Sequence, residues 1–288
     1  SKLKLSFRNA SLPALGAFVP PAAAKFNAGK VNADLAVSVE DLWRNIQAGG
    51  DISIDGMDIV AGGANYKGFS PYVKGNVSLS NFAKKLELQN FAIGAKVSKV
   101  EHFAIVTNGA LDFSASTPSG RIVAQISKFD ETFARKLPFS LFDGVAAVDA
   151  SGRLVWSPSA KEGQLSNALC ELKLKKFASS KLLDAKGDPV ALSGGFAANV
   201  EYSKDLIDVK DCGLSVAQGS DSVLADLEIS GQWKKNPDAG QSSLNIQSSA
   251  LDLKGIQSLF ANSAAVQQQS SKAGKQTAAA PASAASQT

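Results

Sequence analysis

Residues able to do chemistry are few in this chain, and their spacing does not bring them together. The single histidine, His102, stands in the alternating run Val100–Val106 with Glu101 beside it, the pattern of a histidine on the wet face of a strand. A hydrolase needs a nucleophile held against a base, and no G-x-S-x-G elbow occurs. Gly63 to Gly68 has the glycine spacing of a phosphate loop, but Phe69 and Ser70 follow where that loop needs Lys and Ser or Thr. The carboxylates Asp55, Asp112, Glu171, Asp208 and Glu228 alternate with apolar neighbours, as on the polar side of a sheet. A glycosidase pair would want aromatic platforms, whereas the three Trp and three Tyr are scattered. Cys170 and Cys212 lie in apolar runs, without a C-x-x-C or a Cys/His cluster, which gives a zinc or iron–sulfur site no support. They can pair as a disulfide or stand as two buried thiols. The expectation is a protein that is not an enzyme, with no catalytic residue, metal or cofactor.

Composition agrees with a sheet protein. Of 288 residues, 44% are hydrophobic and 19% charged, below the roughly 25% usual in soluble chains. The net charge of +4 includes Lys272 and Lys275 near the C-terminus, so the remainder is close to balanced. Lys84-Lys85, Lys173 to Lys176 and Lys234-Lys235 read as solvated strand faces or ends, where charge also guards against edge pairing. No basic stripe with stacking aromatics exists, so no nucleic-acid partner is expected. Neither a signal peptide nor a membrane span is read. The chain starts in strand-like alternation and without Met, which reads as a piece of a longer protein whose targeting segment lies outside it.

The elements that would have to position any site are mostly strands. Gly75–Ser80, Leu86–Gln89, Gly109–Ser114, Glu171–Lys175, Leu227–Ser230 and Ser243–Gln247 each alternate apolar with polar, and glycine or polar residues stand between them as breaks. Alternation gives every such strand, expected to be 6–8 residues long, one apolar and one wet face. Short helices are expected at Ser11–Phe18, capped by Ser11, and at Asp130–Pro138 and Leu251–Phe260. Another is expected after the capping box Ser38–Asp41, with Val39, Leu42, Trp43 and Ile46 as its apolar stripe and Gly49-Gly50 as its stop. The helix–proline–glycine–strand order recurs near Gly29 and Gly144. Two β units of one continuous sheet follow, residues 1–129 and 130–262. The Ala/Ser/Gln-rich segment 263–288 has too little to bury and is expected to be disordered.

These features together resemble one family. Gly29–Val37, Leu42–Gly56 and Ser243–Leu253 are similar to stretches of the AsmA-like proteins, the TamB and YhdP group, and the likeness extends over most of residues 1–260. It implies a mainly β, elongated, curled antiparallel sheet shaped as a U-shaped groove, with a few short helices. It also implies residence in the Gram-negative periplasm, tethered to the inner membrane through a segment outside this chain. The implied role is transport of phospholipid or another acyl lipid, or support of outer-membrane and envelope biogenesis, with no catalytic site to carry over. The apolar parity of the clear strands supplies the candidate groove residues Val77, Leu79, Leu86, Leu88, Leu111, Phe113, Leu172, Leu174, Leu227, Ile229, Leu244 and Ile246. The rival reading is a structural or adhesive β-sandwich or solenoid whose apolar faces pack on each other as a dry core.

Overall fold

The computed structural model describes residues 1–16, 24–62, 64–137, 144–161, 163–183, 188–219, 222–236 and 240–258. Thirteen strands run through them in chain order: β1 (Lys2–Ser11), β2 (Ala24–Glu40), β3 (Asn45–Ala61), β4 (Ala64–Ser80), β5 (Lys85–Val97), β6 (Val100–Asp112) and β7 (Ser119–Phe129), followed by β8 (Val145–Ser157), β9 (Ser166–Leu183), β10 (Pro189–Tyr202), β11 (Leu206–Gln218), β12 (Ser222–Lys234) and β13 (Ser243–Leu251). Each strand pairs antiparallel with the next, so spatial order equals sequence order from β1 to β13 and the sheet does not close into a barrel. The sheet is continuous through β7 and β8, across the boundary expected at residues 129 and 130. The expected tail, 263–288, lies outside the described residues.

The strands are 9 to 18 residues long, well beyond the 6–8 expected. Glycines read as breaks lie inside strands instead. Gly50 and Gly109 have φ of +137° and +134°, and a Cβ on either would run into a backbone carbonyl of the adjacent strand, Asp34 O and Arg121 O respectively. Only a residue without a Cβ passes there, so the glycine lets the strand bend and continue.

Three short helices among the described residues all sit at one end of the sheet. α1 (Leu12–Gly16) follows β1, with Ser11 Oγ accepting from the Ala14 N–H at 3.4 Å. α2 (Glu131–Ala134) follows β7, and the Asp130 carboxylate accepts from the N–H groups of Thr132 and Phe133. α3 covers residues 253–258 after β13. The later parts of the first and third expected helices, and Pro138, fall outside the described residues. The helix expected around Leu42 and Trp43 is absent. Val39 and Ile46, its intended stripe, are instead cross-strand partners of β2 and β3, and residues 41–44 form the turn between them. A single turn of helix is costly to nucleate, and two β-branched residues gain more by facing each other across a ladder.

Each helix drops apolar side chains onto the same face of the sheet. Leu12 of α1 and Phe133 of α2 join Val31, Met57, Phe69 and Ala95 in one buried cluster, edged by Phe103 and Phe129. Phe133 stacks on Phe103 at 4.6 Å and meets Phe69 and Phe129 edge-on at 5.8 and 6.0 Å. Since Leu12 hangs beside β1 and β2 while Phe133 hangs beside β7 and β8, one shared cluster requires the sheet to curl around it. Ile256 of α3 likewise packs near Val190 and Leu224 at the other lateral end.

Candidate functional site

Register decides which side chains share a face, because partners across an antiparallel pair point the same way. One line of partners runs Phe7, Ala33, Ile52, Val73, Ile93, Ile105, Ile126, Gly152, Leu172, Phe196, Leu214 and Leu227, from β1 to β12, with no polar side chain in it. A second runs Leu3, Val37, Ala48, Val77, Leu88, Gly109, Ile122, Trp156, Ala168, Val200, Val209, Gly231 and Leu244 across all thirteen strands. Both lines lie on the face that receives the helices. The opposite face reads Ser6, Asp34, Asp51, Lys74, Ala92, Val106, Gln125, Arg153, Glu171, Ala197, Gly213, Glu228 and Gln247 along the equivalent line.

Eleven of the twelve candidates named from the sequence occupy strands, and all eleven fall on the apolar face. Val77 and Leu88 are partners; Leu79, Leu86 and Leu111 form one short row; Leu172 and Leu174 face Phe196 and Gly194. Leu227 meets Leu214, Ile229 meets Ile246, and Leu244 meets Gly231. Phe113 lies just past β6, in the connection to β7, where its N–H donates to Lys84 O at 2.6 Å. Ile52, Val73, Ile93, Ile105, Phe196 and Leu214 share this face without standing among the candidates, because they lie outside the short alternating runs that mark the clearest strands, and only the register joins them to one line.

Coverage of this face is uneven. Near the helices it is dry, with Met57, Phe69 and Phe133 each 7% exposed. Away from them nothing lies over it among the described residues, and Ile93, Leu154, Leu172 and Leu214 stand about two-fifths exposed in mid-sheet. Leu3, Leu244 and Ile246, on the two outermost strands, are more open still. Monomeric proteins rarely leave a large connected apolar surface bare. Trp156 and Tyr202, two strands apart on this face, satisfy each other by an indole N–H donated to the phenol oxygen at 2.6 Å.

The two cysteines belong to the same surface. Cys170 and Cys212 both partner Ala198, one from each side, so they sit two strands apart. That is about 10 Å at the usual strand spacing, beyond the reach of a disulfide. Both are free thiols.

The polar face carries the charged constellations. Tyr72 lies flat over Gly94 and donates its phenol hydrogen to Glu101, two strands away, with Lys74 and Lys96 each 5.3 Å from its ring centre. Burial and then the Glu101 carboxylate push the phenol well above its usual value. His102 does not lean on Glu101; its Nδ1 is 2.8 Å from Asp130 Oδ2, the carboxylate that caps α2. Lys210 bonds Asp208 at 2.7 Å and Glu201 at 3.3 Å, which holds the Asp208 carboxyl below its usual range. A shallow dish of about 920 Å³ over β1–β5 is lined by groups of both signs, Lys2, Lys4, Asp34, Asp51 and Glu87 among them. Among the described residues no three His, Cys, Asp or Glu side chains converge as a metal site would require. No described helix is long and apolar enough to cross a membrane.

No protein family, characterised protein or solved structure matches this chain in sequence or fold comparison.

Proposed function

We propose that the chain is a non-enzymatic lipid-handling segment. Its apolar face holds acyl chains while the head groups stay in water at the margin. The observation that carries this reading is the apolar line from β1 to β12, partly exposed in mid-sheet and with no second layer over it among the described residues. An acyl chain laid along such a line stays out of water at every strand it crosses, and the sheet contributes only shape and burial. The resemblance to AsmA-like proteins extends the proposal to a periplasmic setting, a tether to the inner membrane through a segment outside this chain, and a part in phospholipid transport or envelope biogenesis.

Solvent extraction and mass spectrometry of protein purified without detergent tests it. Phospholipid or fatty acid is expected at near-stoichiometric level, and the paired substitutions Leu172→Glu and Leu214→Glu are expected to abolish it. A lipid-free monomer, or a lipid-free dimer with these two side chains buried between copies, would sink the proposal. The dimer would favour the dry structural module. The packing around Phe133 already has that dry character at the helix-bearing end.

A further inference from the structure

The end of the sheet opposite the helices has a composition that folding alone does not explain. Two of its tips repeat one pattern: Asp41-Leu42-Trp43-Arg44 between β2 and β3, and Asn81-Phe82-Ala83-Lys84 between β4 and β5. Each is an Asx residue, two apolar residues and a cation. The first three positions of both tips have positive φ, from 50° to 74°. Turns with such backbone normally use Gly, Asn or Asp, since other residues are strained there. Here the strained positions hold Leu, Trp, Phe and Ala, and the large ones gain no burial in return: Leu42, Trp43 and Phe82 are 92%, 68% and 65% exposed.

The tips are held in a row. Phe82 N–H donates to Arg44 O at 3.1 Å, and Phe113 N–H to Lys84 O at 2.6 Å, so the third connection joins the other two. Phe113 is itself 44% exposed. The result is a ridge of Leu42, Trp43, Phe82 and Phe113 with Arg44 and Lys84 among them. Asp41 is the one acid in the two tips, and its carboxylate accepts from Asn45 Nδ2.

We propose that this ridge docks on an anionic bilayer surface, the aromatic and aliphatic side chains entering the interface and the cations meeting phosphate. Trp and other aromatics beside Arg or Lys are the composition that settles at the level of lipid head groups. The net positive charge of the two tips complements an anionic leaflet. Turn tips held in line enter a bilayer surface together. This contact is separate from the apolar face: it binds a membrane, whether or not the sheet carries lipid.

The test is cosedimentation of the full 288-residue chain with phosphatidylcholine vesicles, with and without phosphatidylglycerol. Binding to the anionic vesicles is expected, with a blue shift of tryptophan emission that Trp43→Ser removes. Trp43→Ser and Phe82→Ser should each weaken partitioning about tenfold, and Trp43→Phe should largely restore it. Raising the salt should weaken binding further. Circular dichroism checks that the variants keep the sheet. Lipid extraction from the same samples separates the two readings, because tip variants should keep any lipid carried on the apolar face. Absence of vesicle binding by the unmodified chain overturns the proposal. So does equal binding by a folded variant carrying both Trp43→Ser and Phe82→Ser, which would place the contact elsewhere or assign the ridge to a protein partner.

Discussion

Substituting Phe133 and Leu172 by alanine, one at a time, separates a covered apolar face from an open one. Phe133 is 7% exposed, stacked on Phe103 and wedged against Phe69 and Phe129. Phe133→Ala leaves a void among rigid rings, and losses of this kind run about 3–5 kcal/mol. At about 2–4 °C per kcal/mol for a chain of this size, the melting midpoint should fall by roughly 6–20 °C. Leu172 sits mid-sheet between Gly152 and Phe196 and is 41% exposed. Leu172→Ala removes about three carbon groups at about 0.8 kcal/mol each when buried, which scales to about 1.4 kcal/mol here. No cavity is added, because water already reaches the site. Urea titration followed by tryptophan fluorescence measures both, with m-values checked for constancy. An equal loss at the two positions in lipid-free protein would falsify the open face, since Leu172 would then be behaving as core.

Four further outcomes can be measured. Gly109→Val places a branched side chain where φ is +134° and a Cβ meets Arg121 O, so a loss of roughly 2 kcal/mol or more is expected, visible as a lower urea midpoint. The raised Tyr72 phenol favours the neutral side chain in the folded state. Its contribution is whole below about pH 10 and fades as pH rises toward the folded value, so an alkaline absorbance titration should show one late-ionising tyrosine that Tyr72→Phe removes. Asp208 has the opposite sign: its depressed carboxyl, held by Lys210, supports folding above about pH 4, and the support is lost as pH falls through the folded value, so Asp208→Asn should flatten the acid limb of a stability profile. Cys170 and Cys212 should both react with a maleimide without prior reduction, and acyl lipid on the face should slow them, as read by intact mass.

Alternation in the sequence determined that this is a sheet protein and which parity is greasy, because a strand reveals its two faces within a few residues. The placement of Val77, Leu88, Leu172, Leu227 and Ile246 on one face followed from that local rule. Local pattern also located α1 and α2 through Ser11 and Asp130, whose side chains cap within three residues. Other features depend on contacts distant in sequence, and only the tertiary structure decided them. Gly50 and Gly109 look like breaks until the neighbouring carbonyls of Asp34 and Arg121 show that they carry strands through a bend. Val39 and Ile46 fit one turn of helix as well as a hairpin, and the choice fell to a ladder extending on both sides of them. The disulfide left open at Cys170 and Cys212 was settled by Ala198, the residue that register places between them. Openness of the apolar face was likewise beyond the sequence, since alternation says which side is apolar and not what, if anything, lies against it.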